Sequence, residues 1–132
     1  MKIFDNITAI YTLDAEAYTT DTTGTDYVDT QGYGDGMLLV ASGDIGTASG
    51  DLYTITLKEC ETTNGTYTST GITVTYAHDG DNTVKLARIS DLGTTRMRYL
   101  RADLTCSATT IAWEGAVAIL LGEAASGPVN SD

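Results

Sequence analysis

From Leu52 to Cys60 the side chains alternate, with Tyr53, Ile55 and Leu57 on one parity and Thr54, Thr56 and Lys58 on the other. A period of two puts the two sets on opposite sides of an extended strand, whereas a helix face would repeat its apolar residues every three or four positions. The pattern recurs. Ile72, Val74 and Tyr76 share a parity in "GITVTYA", as do Leu100, Ala102, Leu104 and Cys106 in "RMRYLRADLTC". "TVKLARI" reads as a further strand, and "TTIAWEGAVAILLGE" as the last, with Ile111, Trp113, Val117, Ile119 and Leu121 in register. Gly, Asp, Asn and Ser punctuate these segments, and none carries a helical period. The expectation is a single all-β domain of seven or eight short strands, an antiparallel β-sandwich or jelly-roll-like fold. At 132 residues it can bury a core without metal or disulfides.

The segments between fix the boundaries. In "IFDNITAIYTL" Ile3, Ile7, Ala9, Tyr11 and Leu13 share one parity, so residues 1–13 read as an N-terminal arm or edge strand with one apolar face. "AEAYTTDTTGTD" reads as a polar loop, 14–124 as the sandwich domain and 125–132 as a flexible C-terminal tail. "YVDTQGYGDG" gives a short strand and a Gly-rich turn. The continuous apolarity of "MLLVAS" predicts a strand buried on both faces. Asn64-Gly65 predicts a tight hairpin turn, and "HDGDN" the turn after the partner strand.

Groups that carry chemistry are few. The sole histidine, His78, stands beside Asp79 and Asp81 with no second nitrogen or sulfur ligand, which describes a solvated turn better than a general base or a zinc site. Asp79, Asp81 and Asn82 lack the spaced acids and terminal Glu of an EF-hand. Cys60 falls on the polar parity of its strand and Cys106 on the apolar parity of its own, so two free thiols are expected, Cys106 as a small core residue. The glycines at 32, 34 and 36 and at 43, 46 and 50 lack the Lys-Ser/Thr of a P-loop and read as turns. No catalytic, cofactor or metal site is expected, and the chain does not read as an enzyme.

Eighteen acids against seven bases give a net charge of −11, which repels polyanions and argues against nucleic-acid binding. Apolar runs such as "AVAILL" are far shorter than the ~20 residues of a membrane-spanning helix, so no membrane partner is expected. The first residues carry no signal-peptide core, which points to synthesis in a cytoplasm and makes the sequons at Asn6 and Asn64 coincidental. Three of the seven bases crowd into "RMRYLR". By strand parity Arg96 and Arg98 share one side and Arg101 takes the other, so they form no anion patch. Each is expected to pair with a carboxylate, within the chain (Asp91 is close in sequence) or across a subunit interface.

The order "VDTQGYGDGMLLVASGDI", "YTITLKECETTNGTY", "RMRYLRADLTCSAT", "WEGAVAILLGEA" resembles small head-assembly proteins of tailed double-stranded-DNA bacteriophages, over roughly residues 27 to 124. Cys60 after "KE" departs from that pattern. The resemblance implies a structural virion protein made in the bacterial host cytoplasm. It would be a decoration or cement β-sandwich on the capsid exterior, bound to the major capsid protein and homo-oligomeric, with a trimer favoured. Candidate contact residues are Ile3, Phe4, Ile7 and Tyr11 on the arm, and Tyr99 and Arg101, outward by parity and of types enriched at contact hot spots. The rival is a tail- or fibre-associated module recognising carbohydrate or a host receptor through Tyr18, Tyr27 and Tyr33.

Overall fold

The computed structural model describes residues 7–45, 50–78, 80, 82–92, 94–107 and 112–123. Their elements are strands: β1 Ile7–Tyr18, β2 Val28–Asp29, β3 Tyr33–Ile45, β4 Leu52–Cys60, β5 Thr68–Ala77, β6 Val84–Ile89, β7 Tyr99–Ser107 and β8 Trp113–Glu123. They form two four-stranded sheets, β1-β8-β3-β6 (sheet A) and β2-β7-β4-β5 (sheet B), with every pairing antiparallel. The all-β sandwich read from the alternation is the fold.

The core lies between the sheets and is filled by every second residue. Sheet B supplies Tyr53, Ile55 and Leu57 from β4 and Leu100, Ala102 and Leu104 from β7, and sheet A supplies Leu38 and Val40 from β3 and Val117, Ile119 and Leu121 from β8. Burying each aliphatic side chain contributes about 1.5–3 kcal/mol, so single-register pairing is strongly enforced on the inner faces. Trp113 is fully buried at one end, its ring 5.7 Å from that of Tyr18. Tyr76 ties the sheets together on one side. Its hydroxyl, fully buried on β5 of sheet B, lies 2.9 Å from the Val40 carbonyl of β3 and 2.7 Å from that of Thr83. No helix among the described residues is long and apolar enough to cross a membrane.

Four local expectations are corrected. Residues 15–18, expected in a loop, continue β1 to Tyr18, because pairing with β8 runs on to Tyr18↔Trp113. The single apolar face expected over residues 7–13 is split by a bulge at Thr12: Tyr11 pairs with Ala118 and Leu13 with Val117, leaving Thr12 as the extra residue. Leu13 therefore turns into the core while Ile7, Ala9 and Tyr11 face outward. "MLLVAS" is buried on one face only: Leu38, Val40 and Ser42 are buried, and Met37, Leu39 and Ala41 are half-buried on the outside of sheet A. Asn64-Gly65 sits inside a longer connection from Cys60 to Thr68, not in a two-residue turn. The glycine that the hairpin does require is Gly71, at φ +87°, where the β4–β5 register shifts and Thr70 Oγ1 donates to the Leu57 carbonyl.

The segment between β1 and β2 lies along the free side of β7. Thr12 Oγ1, buried in the bulge, accepts from the Ala102 N–H at 3.1 Å and donates to the Asp26 carbonyl at 2.8 Å. Thr22 and Leu104 exchange both backbone bonds, and Asp21 accepts from the Cys106 N–H at 2.8 Å. Residues 1–6 and 124–132, with the predicted tail, lie outside the described residues.

Candidate functional site

The residues expected to form one contact surface occupy opposite sides of the sandwich. Ile7 and Tyr11 lie on the outer face of sheet A, Tyr99 and Arg101 on that of sheet B. Ile3 and Phe4 lie outside the described residues.

On sheet B, strand parity sends Leu100, Ala102 and Leu104 inward and Tyr99, Arg101 and Asp103 outward. Asp103 is nonetheless 6% exposed, because the β1–β2 segment covers it and Gly24 donates its N–H to Oδ1 at 2.9 Å. Arg101 grips the same carboxylate with two bonds, Nε to Oδ1 at 2.9 Å and Nη2 to Oδ2 at 3.0 Å, and Lys58 on the neighbouring strand lies 3.1 Å from Oδ2. Burial pushes the Asp103 carboxyl up, but the bonds from Arg101, Gly24 and Lys58 outweigh it and hold the group below its usual range. The Arg101 guanidinium stacks over the Tyr67 ring, 4.2 Å from its centre.

Beside it, Tyr27 and Tyr99 meet edge to face at 5.5 Å, and Arg98 covers Tyr99 at 5.1 Å. Arg98 is fixed by a bidentate pair to Asp29, at 2.9 and 2.8 Å. The Arg98 bonds, with the Gln31 N–H, pull the exposed Asp29 carboxyl down to about 2. Three tyrosines and two arginines thus share one face, each arginine held by a carboxylate and laid on a ring. Arg98 departs from the parity expectation because β7 begins only at Tyr99, so its side chain reaches the Tyr99 ring instead of the core.

All three arginines of "RMRYLR" pair within the chain: Arg96 with Glu59 at 3.7 Å, Arg98 with Asp29, Arg101 with Asp103. The nearby Asp91 acts through its backbone, at φ +66°, its carbonyl accepting from the N–H groups of Thr94, Thr95 and Arg96. The partner of Arg101 was legible, since residues two apart on a strand share a face. Those of Arg98 and Arg96, 69 and 37 positions away, required the topology.

The outer face of sheet A differs in kind. On β1 it presents Ile7 and Tyr11, 42% and 54% exposed, and on β6 Val84 and Leu86, 61% and 56% exposed. Cross-strand register puts Tyr11 beside Ala118, Ala118 beside Leu39 and Leu39 beside Leu86, so one apolar row crosses all four strands. Leu120, Met37 and Ala41 extend it along the strands. Charge enters at the ends: Asp35 and Arg88, 3.5 Å apart, at one, and Glu114 and Glu16 at the other. Near Glu114 the face sinks into a shallow hollow of about 480 Å³ floored by Ala41, Gly43, Gly115 and Ala116. This face was hidden in the sequence because "MLLVAS" and "AVAILL" read as interior.

Cys60 and Cys106 are free thiols. Cys60 is buried outside the core on sheet B, 3.8 Å from Thr62 Oγ1, and Cys106 packs against the core, its thiol pushed up to about 11 by burial and Asp21. His78 is half-buried after β5, and Asp79 and Asp81 lie outside the described residues. Among the described residues no three His, Cys, Asp or Glu side chains come together as a metal site would require. The tyrosines proposed for sugar recognition do not converge. Tyr18 is buried against Trp113, Tyr33 packs against the core at the start of β3, and only Tyr27 is exposed, on the other sheet.

No protein-family model and no curated protein matches the sequence. Among solved structures, the chain is similar to one from the structure of infectious bursal disease virus Gx strain, at 14% identity and TM-score 0.49, over 92% of this chain and 32% of that one. The chain spans about a third of that viral chain. It is also similar to Eiger TNF from S. frugiperda, at 9% identity and TM-score 0.43, over 97% of this chain and 92% of that one.

Proposed function

We propose that this chain is a structural protein of a bacteriophage particle, a decoration protein that binds the outside of the head through the Tyr–Arg cluster of sheet B and works as a homo-oligomer, a trimer in the favoured form. The observation that carries the reading is that cluster. Tyr and Arg dominate contact hot spots, and here Asp29 and Asp103 hold Arg98 and Arg101 in place before any partner arrives. A side chain already fixed loses little rotamer freedom on docking, so more of the contact energy appears as affinity. The capsid lattice then repeats the contact, and a modest affinity per site becomes firm attachment when copies are linked. A net charge of −11 keeps such a protein off the packaged nucleic acid.

The test is the copy number of this chain relative to the major capsid protein, by quantitative mass spectrometry of gradient-purified particles from the source organism. A ratio near one, within a factor of about three, supports lattice-wide decoration. A few copies per particle moves the chain to neck, tail or fibre, and absence from particles removes the virion reading. The double variant Tyr27→Ala/Tyr99→Ala should lose capsid binding while keeping its β-sheet circular dichroism.

A further inference from the structure

We infer that the apolar outer face of sheet A is the surface through which one copy of this chain binds another. This specifies the self-association in the reading above, but it is tested on the purified chain without capsids, so either can fail alone.

Four of the six large hydrophobic side chains exposed among the described residues, Ile7, Tyr11, Val84 and Leu86, lie on this one face. Four strands about 4.8 Å apart, each contributing some 15–20 Å of length, give an apolar surface of roughly 300–400 Å². That is the size of the largest patch on a typical monomer, and up to half of the ~800 Å² each partner contributes to a standard interface, so it fits as the apolar centre of one with a polar rim.

Relief and charge identify the occupant as a second copy. Along β8 the face is low, at Ala116 and Ala118. On either side it is high, at Tyr11 on β1 and at Leu39 and Leu86 on β3 and β6. The ridge of one molecule therefore has a trough to enter on another, in the face-to-face packing the sandwich already uses inside. Two chains of −11 repel at long range and can meet only where the surface is close to neutral. Here Asp35 and Arg88 cancel at one end, the apolar row carries no charge, and the two acids Glu114 and Glu16 stand together at the other end, beside the hollow. A basic partner drawn by the net charge would find little to pair with along that row.

That charge balance fixes the direction of the salt response. Screening shortens from about 10 Å at 0.1 M to about 3 Å at 1 M, so association of like-charged copies through an apolar face strengthens with salt, whereas binding of a basic partner weakens. The experiment is sedimentation equilibrium of the purified full chain at about 0.1 M and 1 M salt. The expected result is a mass of two or three chains, favoured at high salt. Leu86→Glu and Tyr11→Glu, at positions 56% and 54% exposed, should each return the mass to one chain, 13.9 kDa, with the β-sheet circular dichroism of the folded chain unchanged. Thr105→Glu, which adds the same charge at an exposed site on sheet B, should keep the wild-type mass. A wild type that sediments as one chain at both salts overturns the inference, as does an oligomer that survives both sheet A substitutions.

Discussion

Replacing Asp103 by Asn removes one charge and almost no volume from the outer side of sheet B, where β7, β4 and the β1–β2 segment meet. Asp103 holds Arg101 with two bonds, Lys58 with one and the Gly24 N–H with one, and its side chain is 9% exposed. Removing one member of a buried ion pair typically costs 3–5 kcal/mol, because the other charge is left without a partner. Arg101 and Lys58 keep 21% and 33% of their side-chain surface in water and can partly rehydrate, which lowers the expected loss to about 2–3 kcal/mol. At roughly 3–4 °C per kcal/mol for a chain of this length, the thermal midpoint at pH 7 should fall by about 6–12 °C.

The same substitution has a pH signature. The Asp103 carboxyl titrates below its ordinary value of 3.8 in the folded protein, so its stabilisation is complete above that value and is lost as pH falls through the folded one. Midpoints of wild type and Asp103→Asn, followed by circular dichroism from pH 7 downward, should therefore converge in acid. A variant within about 2 °C of wild type at pH 7, or a gap that stays constant into acid, would refute the assignment of Asp103 as the charge that anchors this face.

Other outcomes follow from single contacts. Tyr76→Phe removes the hydroxyl set between the Val40 and Thr83 carbonyls and should cost about 1–3 kcal/mol in urea unfolding, because buried acceptors lose their donor. Gly71→Val forces a β-branched residue to φ +87° and should destabilise by more than about 1 kcal/mol, while Gly71→Asn recovers part of the loss. Cys60 and Cys106 should both stay unmodified by a thiol reagent at pH 8 in the native protein, and two thiols per chain should react at once in denaturant. Carboxyl NMR titration should place Asp29 near 2, and Arg98→Ala should return it toward 3.8.

The strands that pack on one side only were legible as strands. β4, β5 and β7 have an apolar inner set and a largely polar outer set, and burial follows the parity except at Asp103 and Cys60, outward residues that are nonetheless buried. Reasoning from alternation failed where burial did not follow it. Asp14 to Ala17 are all exposed, so nothing apolar marks them as strand, and only the backbone of β8 holds them in one. The bulge at Thr12 shows in the chain only as an unremarkable threonine, yet it reverses which side of the sheet Leu13 faces. β3 and β8 are apolar on both parities for two separate reasons, a core within and an exposed apolar face without, and composition alone cannot separate them. The two tyrosine partners of Tyr99 and Arg101 come from loops distant in sequence, so the residues of the sheet B cluster were half visible and their convergence was not.

The groups lying along β7 have a consequence for how the protein can grow. A sheet edge recruits another strand through a row of vacant N–H and C=O groups. Next to the two-residue β2, Ala102, Leu104 and Cys106 already give their N–H groups to Thr12, Thr22 and Asp21. Those acceptors belong to a side chain, a loop backbone and a carboxylate, so they satisfy the row without presenting a regular ladder of their own. An incoming chain finds no register to copy there, and runaway strand addition of the amyloid type is blocked on that flank. Even a high local concentration of copies then leaves that side of the sandwich chemically closed.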